Sequence, residues 1–208
     1  MKSLFILAFG CLTSMSVFAM DVEDLQKAWA VANYQVSGDA QAERFEKLAM
    51  ASDEAVAAQP RDPELLIWQG IIKSTYAGKA GGLGALKLVK AARDSLEQAL
   101  EIDPAALDGS AYTSLGALYY QVPGWPIAFG NEKKARALLE KALSMNPDGI
   151  DSNYFYGDFL YQQHEYAEAR AALQRALSAK ARPGREVADA GRREEIRALL
   201  ARVDEALN

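Results

Sequence analysis

Cys11 and His164 are the only cysteine and the only histidine in this chain of 208 residues, and they bound its reactive chemistry. A Cys/His zinc centre needs three or four such ligands, so the sequence holds no metal set of that kind. A Ser-His-Asp or Cys-His mechanism would have to run through His164 alone. That residue sits in Gln162-Gln163-His164-Glu165, which reads as a solvated turn with no nucleophile or acid placed to make it a base. The glycines of Tyr76-Ala-Gly-Lys-Ala-Gly-Gly-Leu-Gly84 form neither G-x4-G-K-[ST] nor a complete G-x-G-x-x-G, so they make no phosphate cradle. Lys and Arg number 23 against 28 Asp and Glu, a net charge of −5, the opposite of a nucleic-acid footprint. The expectation is a non-enzyme with no catalytic residue, no metal, no cofactor and no nucleic-acid partner.

Binding chemistry remains, carried by aromatics. Residues 112–166 hold eleven of the nineteen Phe, Trp and Tyr side chains. Such residues supply large contact areas with a polar handle, but many must also fill the space between packed elements.

The elements that position them start after a leader. Residues 1–19 open with Lys2, run apolar from Leu4 to Leu12 and end with small residues at Val17 and Ala19. This is the layout of a secretory signal cleaved after Ala19, which places the remaining chain, 20–208, in the periplasm. The bulky Phe9 in Ala8-Phe9-Gly10-Cys11 does not suit lipid attachment at Cys11, and membrane association is expected only if that attachment occurs.

From there on, apolar residues recur at spacings of three and four, with Pro and Gly as punctuation. The pattern repeats. Ala92-x3-Leu96-x2-Ala99-x4-Pro104, Ala135-x3-Leu139-x2-Ala142-x4-Pro147 and Ala169-x3-Leu173-x2-Ala176 are each preceded by a helical stretch centred on a glycine, Gly70, Gly116 and Gly157. Small residues at fixed places let paired helices approach closely, and pairs that cannot bury an apolar face alone must stack.

These residues resemble the tetratricopeptide repeat. Gly157, Leu160, Ala169, Leu173 and Ala176 match its 34-residue pattern best, and the second unit adds Tyr112, Leu115, Gly116 and Tyr119. The first unit has Gln69 where Leu is usual. The predicted fold is an all-α, right-handed solenoid of helix pairs, with units at about 22–60, 63–104, 109–147 and 150–183. A C-terminal capping helix follows over 185–207, where Ile196, Leu199, Leu200, Val203 and Leu207 share a face.

Two units depart from the common repeat. The first holds ten extra residues between its helices, around Tyr76–Gly84, and the second seven, in Gln121-Val-Pro-Gly-Trp-Pro-Ile-Ala-Phe-Gly130. Both are expected as loops at one edge, the usual binding edge of a solenoid. The second insertion, together with the closing stretch Ala176–Leu200 and its Arg182-Pro183-Gly184 turn, is similar to the T-component of TRAP transporters (TatT), and to the repeat domain of the regulators of microtubule dynamics. The bacterial resemblance implies a non-enzymatic partner of a periplasmic substrate-binding protein that handles small apolar ligands.

By the same resemblance, the first helix of each unit lines a concave groove. Its positions are Glu64, Ile67, Ile71, Ser74 and Thr75, then Ser110, Thr113, Ala117, Tyr120 and Gln121, then Asp151, Tyr154, Asp158, Tyr161 and Gln162. Ile67, Ile71 and Asp151 replace the residues that clamp a terminal carboxylate in chaperone-binding members, so an apolar or cationic partner is expected. The candidate binding residues are Ile67, Ile71, Thr113, Tyr120, Trp125, Phe129, Tyr154, Asp158 and Tyr161. The alternative to a ligand carrier is a cell-envelope scaffold for protein–protein interaction, and self-association remains open to either.

Overall fold

The computed structural model describes residues 19–208, and the expected leader, Cys11 included, lies outside the described residues apart from Ala19. Among them run nine helices: α1 (Val22–Tyr34), α2 (Asp39–Ala58), α3 (Pro63–Ala80), α4 (Gly82–Ile102), α5 (Ala106–Gln121), α6 (Glu132–Met145), α7 (Ile150–Gln162), α8 (Tyr166–Ser178) and α9 (Glu186–Leu207). No strand occurs among the described residues. The chain is the all-α solenoid expected from its repeats.

Local chemistry starts several of these helices. Asp21 accepts the backbone N–H of Asp24, Asp62 accepts those of Glu64 and Leu65 ahead of Pro63, and Asn131 accepts that of Lys134. Each side chain satisfies donors that have no partner within the helix.

Within three units a glycine on the first helix fixes the approach of the second. A Cβ on Gly70 would fall 2.5 Å from Leu96 Cγ, on Gly116 2.6 Å from Leu139 Cγ, and on Gly157 2.7 Å from Leu173 Cγ. All three leucines are fully buried, which is worth roughly 1.5–3 kcal/mol each. The repeat signature is therefore a packing rule: the missing Cβ on one helix makes room for a leucine on its partner.

The first insertion is not a loop. Its Ala, Lys and Leu residues extend α3 to Ala80 and start α4 at Gly82, which lengthens both helices and leaves a single-residue turn. Gly81 makes that turn at φ 64°, ψ −169°, a conformation open only to glycine. Helix propensity outweighs the glycines on either side of it.

Successive pairs stack along the chain, and then the chain returns on itself. The last helix, α9, packs on α8 and α7 and also on α1. Ala188 of α9 is buried in the cluster formed by Leu25, Trp29, Phe45, Leu65 and Trp68 of the first three helices. The concave face of the solenoid is thereby closed on its open side.

Candidate functional site

Closure creates a cavity of about 690 Å3 on the concave face. Trp29 and Tyr34 of α1, Trp68, Ile71 and Thr75 of α3, and Val89 of α4 form one side of its lining. Ser110, Thr113, Ala117 and Gln121 of α5 form the floor, and Phe155 of α7 with Arg185, Ala188 and Arg192 completes it. The volume falls in the range of small-molecule sites.

The rim at α5 is strained. Leu107 (φ 49°, ψ 46°), Asp108 (φ 54°, ψ 38°) and Gly109 (φ 76°, ψ 24°) make a left-handed turn before the regular helix begins at Ser110. For Leu and Asp this costs roughly 1–2 kcal/mol per residue. Gly109 is required twice, by its positive φ and because a Cβ there would lie 2.9 Å from Met145 Sδ. Leu107 and Asp108 both line the cavity, as strained residues often do at ligand sites.

One end of the cavity is an ionic lattice joining α7, α9 and α1. Asp151 accepts from Arg192 Nε and from Arg182 Nη1, each at 2.8 Å. Arg182 also donates to Asp189, while Arg192 pairs with Glu195, which accepts from the Tyr34 hydroxyl at 3.2 Å. Burial alone would raise the Asp151 carboxyl, but Arg192 and Arg182 overcome it and pull its pKa down to about 2. Among the described residues, Arg185 makes no ion pair. Its guanidinium lies over the Trp68 ring, 5.1 Å from the centroid, and its buried Nε–H has no acceptor. The indole N–H of Trp68, a residue only 4% exposed, is likewise buried and unpartnered. Trp29, by contrast, donates to Thr75 Oγ1 at 3.0 Å. A buried donor without a partner costs about 1–3 kcal/mol.

The expected groove residues divide. Ile71 and Thr113 line the cavity, with Ser74, Thr75, Ser110, Ala117, Gln121 and Asp151 from the wider set. Ile67 does not; it is fully buried in the core. Tyr120 does not either; it is turned towards α7. Its hydroxyl donates instead to Asp158 at 2.7 Å, and its ring packs on Phe159. Burial, with Asp158 beside it, raises the Tyr120 phenol well above its ordinary pKa.

Tyr154 and Tyr161 are covered by the protein's own last helix, with Arg192 4.3 Å over one ring and Arg202 4.6 Å over the other. The expectation of a cationic partner also fails at Asp151, whose charge two arginines of this chain already meet. None of these substitutions by α9 is legible locally, because they depend on a helix thirty to forty residues away folding back. Trp68, Arg182, Arg185 and Arg192 were not singled out for the site. The one signal was the Arg182-Pro183-Gly184-Arg185 turn before the cap.

The loop at 122–131 is a separate feature. Gly130 N–H donates to Pro123 O at 3.0 Å and Asn131 N–H to Tyr119 O at 2.7 Å, which ties the two ends of the loop together. Phe129 packs edge-on against Tyr119 at 5.3 Å and under Arg93 at 4.7 Å, an anchor rather than a cavity residue. Trp125 and Ile127 at the tip are 89% and 64% exposed.

Among the described residues, no cluster of His, Cys, Asp or Glu is arranged to hold a metal ion, and no helix is long and apolar enough to cross a membrane. His164 sits in the α7–α8 turn at φ 63°, its Nδ1 2.7 Å from the Tyr166 hydroxyl.

The chain is a helical-repeat solenoid whose last helix returns onto its first. Residues 127–203 match the tetratricopeptide repeat family, and the chain has the fold of tetratricopeptide-repeat proteins. It is similar to the crystal structure of a thermophilic tetratricopeptide-repeat protein of Thermus thermophilus, with 21% identity, a TM-score of 0.62, and coverage of 89% of this chain and 83% of that one. It also aligns with MamA at 20% identity and a TM-score of 0.48, over 90% of this chain and 95% of that one. No curated protein matches the sequence.

Proposed function

We propose that this chain is a non-enzymatic scaffold for protein–protein interaction that docks its partner through the α5–α6 loop. The repeat fold commonly serves this purpose, though function lives in the site and not in the fold. The observation that carries the reading is the exposed Trp125–Ile127 tip on a loop whose base is hydrogen-bonded and whose Phe129 is anchored. A rigidly presented Trp loses little freedom on binding, and Trp is enriched among the residues that dominate interface energy. The leader pattern over residues 1–19 supports a periplasmic location. A periplasmic substrate-binding protein is the partner implied by the resemblance to TRAP transporter T-components, whose most specific motif is the loop sequence Pro123-Gly-Trp-Pro126.

Cross-linking and pull-down from solubilised envelope test this. The Trp125→Ala/Ile127→Ala variant is expected to keep the wild-type melting temperature and lose a partner that the wild type retains. Undiminished capture by the folded variant would overturn the loop reading. A second reading, carriage of a small apolar ligand, is favoured by the half-open cavity between α1, α3, α5 and α9.

A further inference from the structure

Arg182, Arg185 and Arg192 all line the same cavity, but only two of them are matched by carboxylates. Arg182 is met by Asp151 and Asp189, and Arg192 by Asp151 and Glu195. Arg185 is left with an aromatic face beneath it and a buried Nε–H unused. That face belongs to Trp68, whose own buried N–H is also unused. Two unpaired donors on touching side chains, one of them cationic, call for an acceptor that is anionic and has several lone pairs. An arginine is not neutralised by deprotonation, so an anion is the chemistry that completes it.

The rest of the wall decides what the anion is attached to. Ile71, Val89, Ala117, Leu118 and Phe155 are apolar and uncharged. Asp108 and Asp151 lie on the same cavity, and neither would tolerate a second negative charge nearby. Among the described residues, Lys79 also lines the cavity without an ion pair, but it is solvent-exposed, so Arg185 is the unpaired cation with a buried N–H, and the apolar side chains share the wall with Ser110, Thr113 and Gln121.

We propose that the cavity binds a small amphiphilic monocarboxylate, its carboxylate on Arg185 Nε–H and Trp68 Nε1–H and its apolar tail along Ile71, Val89 and Phe155. The contact combines a charge-assisted hydrogen bond from Arg185 with a second one from Trp68, which favours a carboxylate over a neutral group of the same length. This site is independent of the Trp125 loop, so either can fail without the other.

Isothermal titration of the full-length protein with octanoate, octan-1-ol and acetate tests the assignment. Octanoate is expected to bind at least about tenfold more tightly than octan-1-ol, which lacks the charge, and than acetate, which lacks the tail. Arg185→Gln should bring octanoate down to the level of octan-1-ol, whereas Arg185→Lys should restore part of the difference. Trp68→Phe keeps the aromatic face but removes the N–H, and should weaken octanoate several-fold while leaving octan-1-ol unchanged. Equal binding of octanoate and octan-1-ol would overturn the proposal. So would an undiminished preference in folded Arg185→Gln, or no octanoate binding at millimolar concentration.

Discussion

Gly191 of the last helix lies directly under the ring of Tyr34 at the end of the first, so close that a Cβ at 191 would sit 2.3 Å from the ring carbons Cγ and Cδ1. This contact closes the solenoid. The ring cannot easily retreat, because it stacks edge-on against Trp29 at 5.7 Å and its hydroxyl donates to Glu195. Gly191→Ala would raise the stability of an unconstrained helix by up to about 1 kcal/mol. Here it is expected to lower stability by about 1–3 kcal/mol through overpacking. Urea unfolding gives the sign, and faster amide exchange in α1 would show that the closure has loosened.

The unit glycines should behave alike for the same reason. Gly116→Ala is expected to cost about 1–3 kcal/mol despite its better helix propensity, since Leu139 has no free space to enter. In a double-mutant cycle, Leu139→Ala should relieve part of the clash and give a favourable coupling of about 0.5 kcal/mol or more. Strict additivity would mean that the two helices are not held at this distance by the Gly116–Leu139 contact.

Gly130 is constrained by backbone, which is less forgiving. A Cβ there would fall 1.9 Å from Val122 O and 2.9 Å from the Pro123 carbonyl carbon. Gly130→Ala is expected to detach the 122–131 loop from α5 and free Phe129 from Tyr119, while α1–α4 and α7–α9 keep their helicity. Circular dichroism should change little, and aromatic NMR shifts of Tyr119 and Phe129 should change strongly.

Acid should undo the lattice at Asp151. Its carboxyl is held at about 2 in the folded protein against an ordinary 3.8, so the charged form favours folding. That stabilisation is fully present above the unfolded value and is lost as pH falls from about 4 towards about 2. Asp151→Asn should flatten this part of the stability-versus-pH curve. At neutral pH the same variant should cost about 3–5 kcal/mol, because Arg192, buried, loses the carboxylate on its Nε. Denaturant midpoints between pH 2 and 7 measure both effects.

Gln69 shows how a departure from the repeat pattern is absorbed. It stands where the pattern has an apolar residue, yet it is buried, donating to Asp53 at 2.7 Å and accepting from Ser95 Oγ at 2.6 Å. Both partners lie on neighbouring helices, sixteen and twenty-six positions away, so their pairing becomes visible only once α2, α3 and α4 are packed.

The repeat itself was legible because its cause is local and periodic. A glycine facing a leucine and small residues at set intervals is a statement about two adjacent helices, and sequence spacing reports it directly. The Trp125 loop was legible for a similar reason, since Pro and Gly break the helix between Gln121 and Glu132 wherever the chain goes next. Nothing local told the first insertion from a loop, where Ala, Lys and Leu prolonged two helices instead. The sequence by itself therefore determined the helix pairs and their order, and its one Cys and one His left too few such ligands for a Cys/His metal centre. Which residues face the cavity was decided only by the return of α9 onto α1. That return covers Tyr154 and Tyr161, neutralises Asp151 and leaves Arg185 beside Trp68, because long-range packing chooses which faces of a helix remain open.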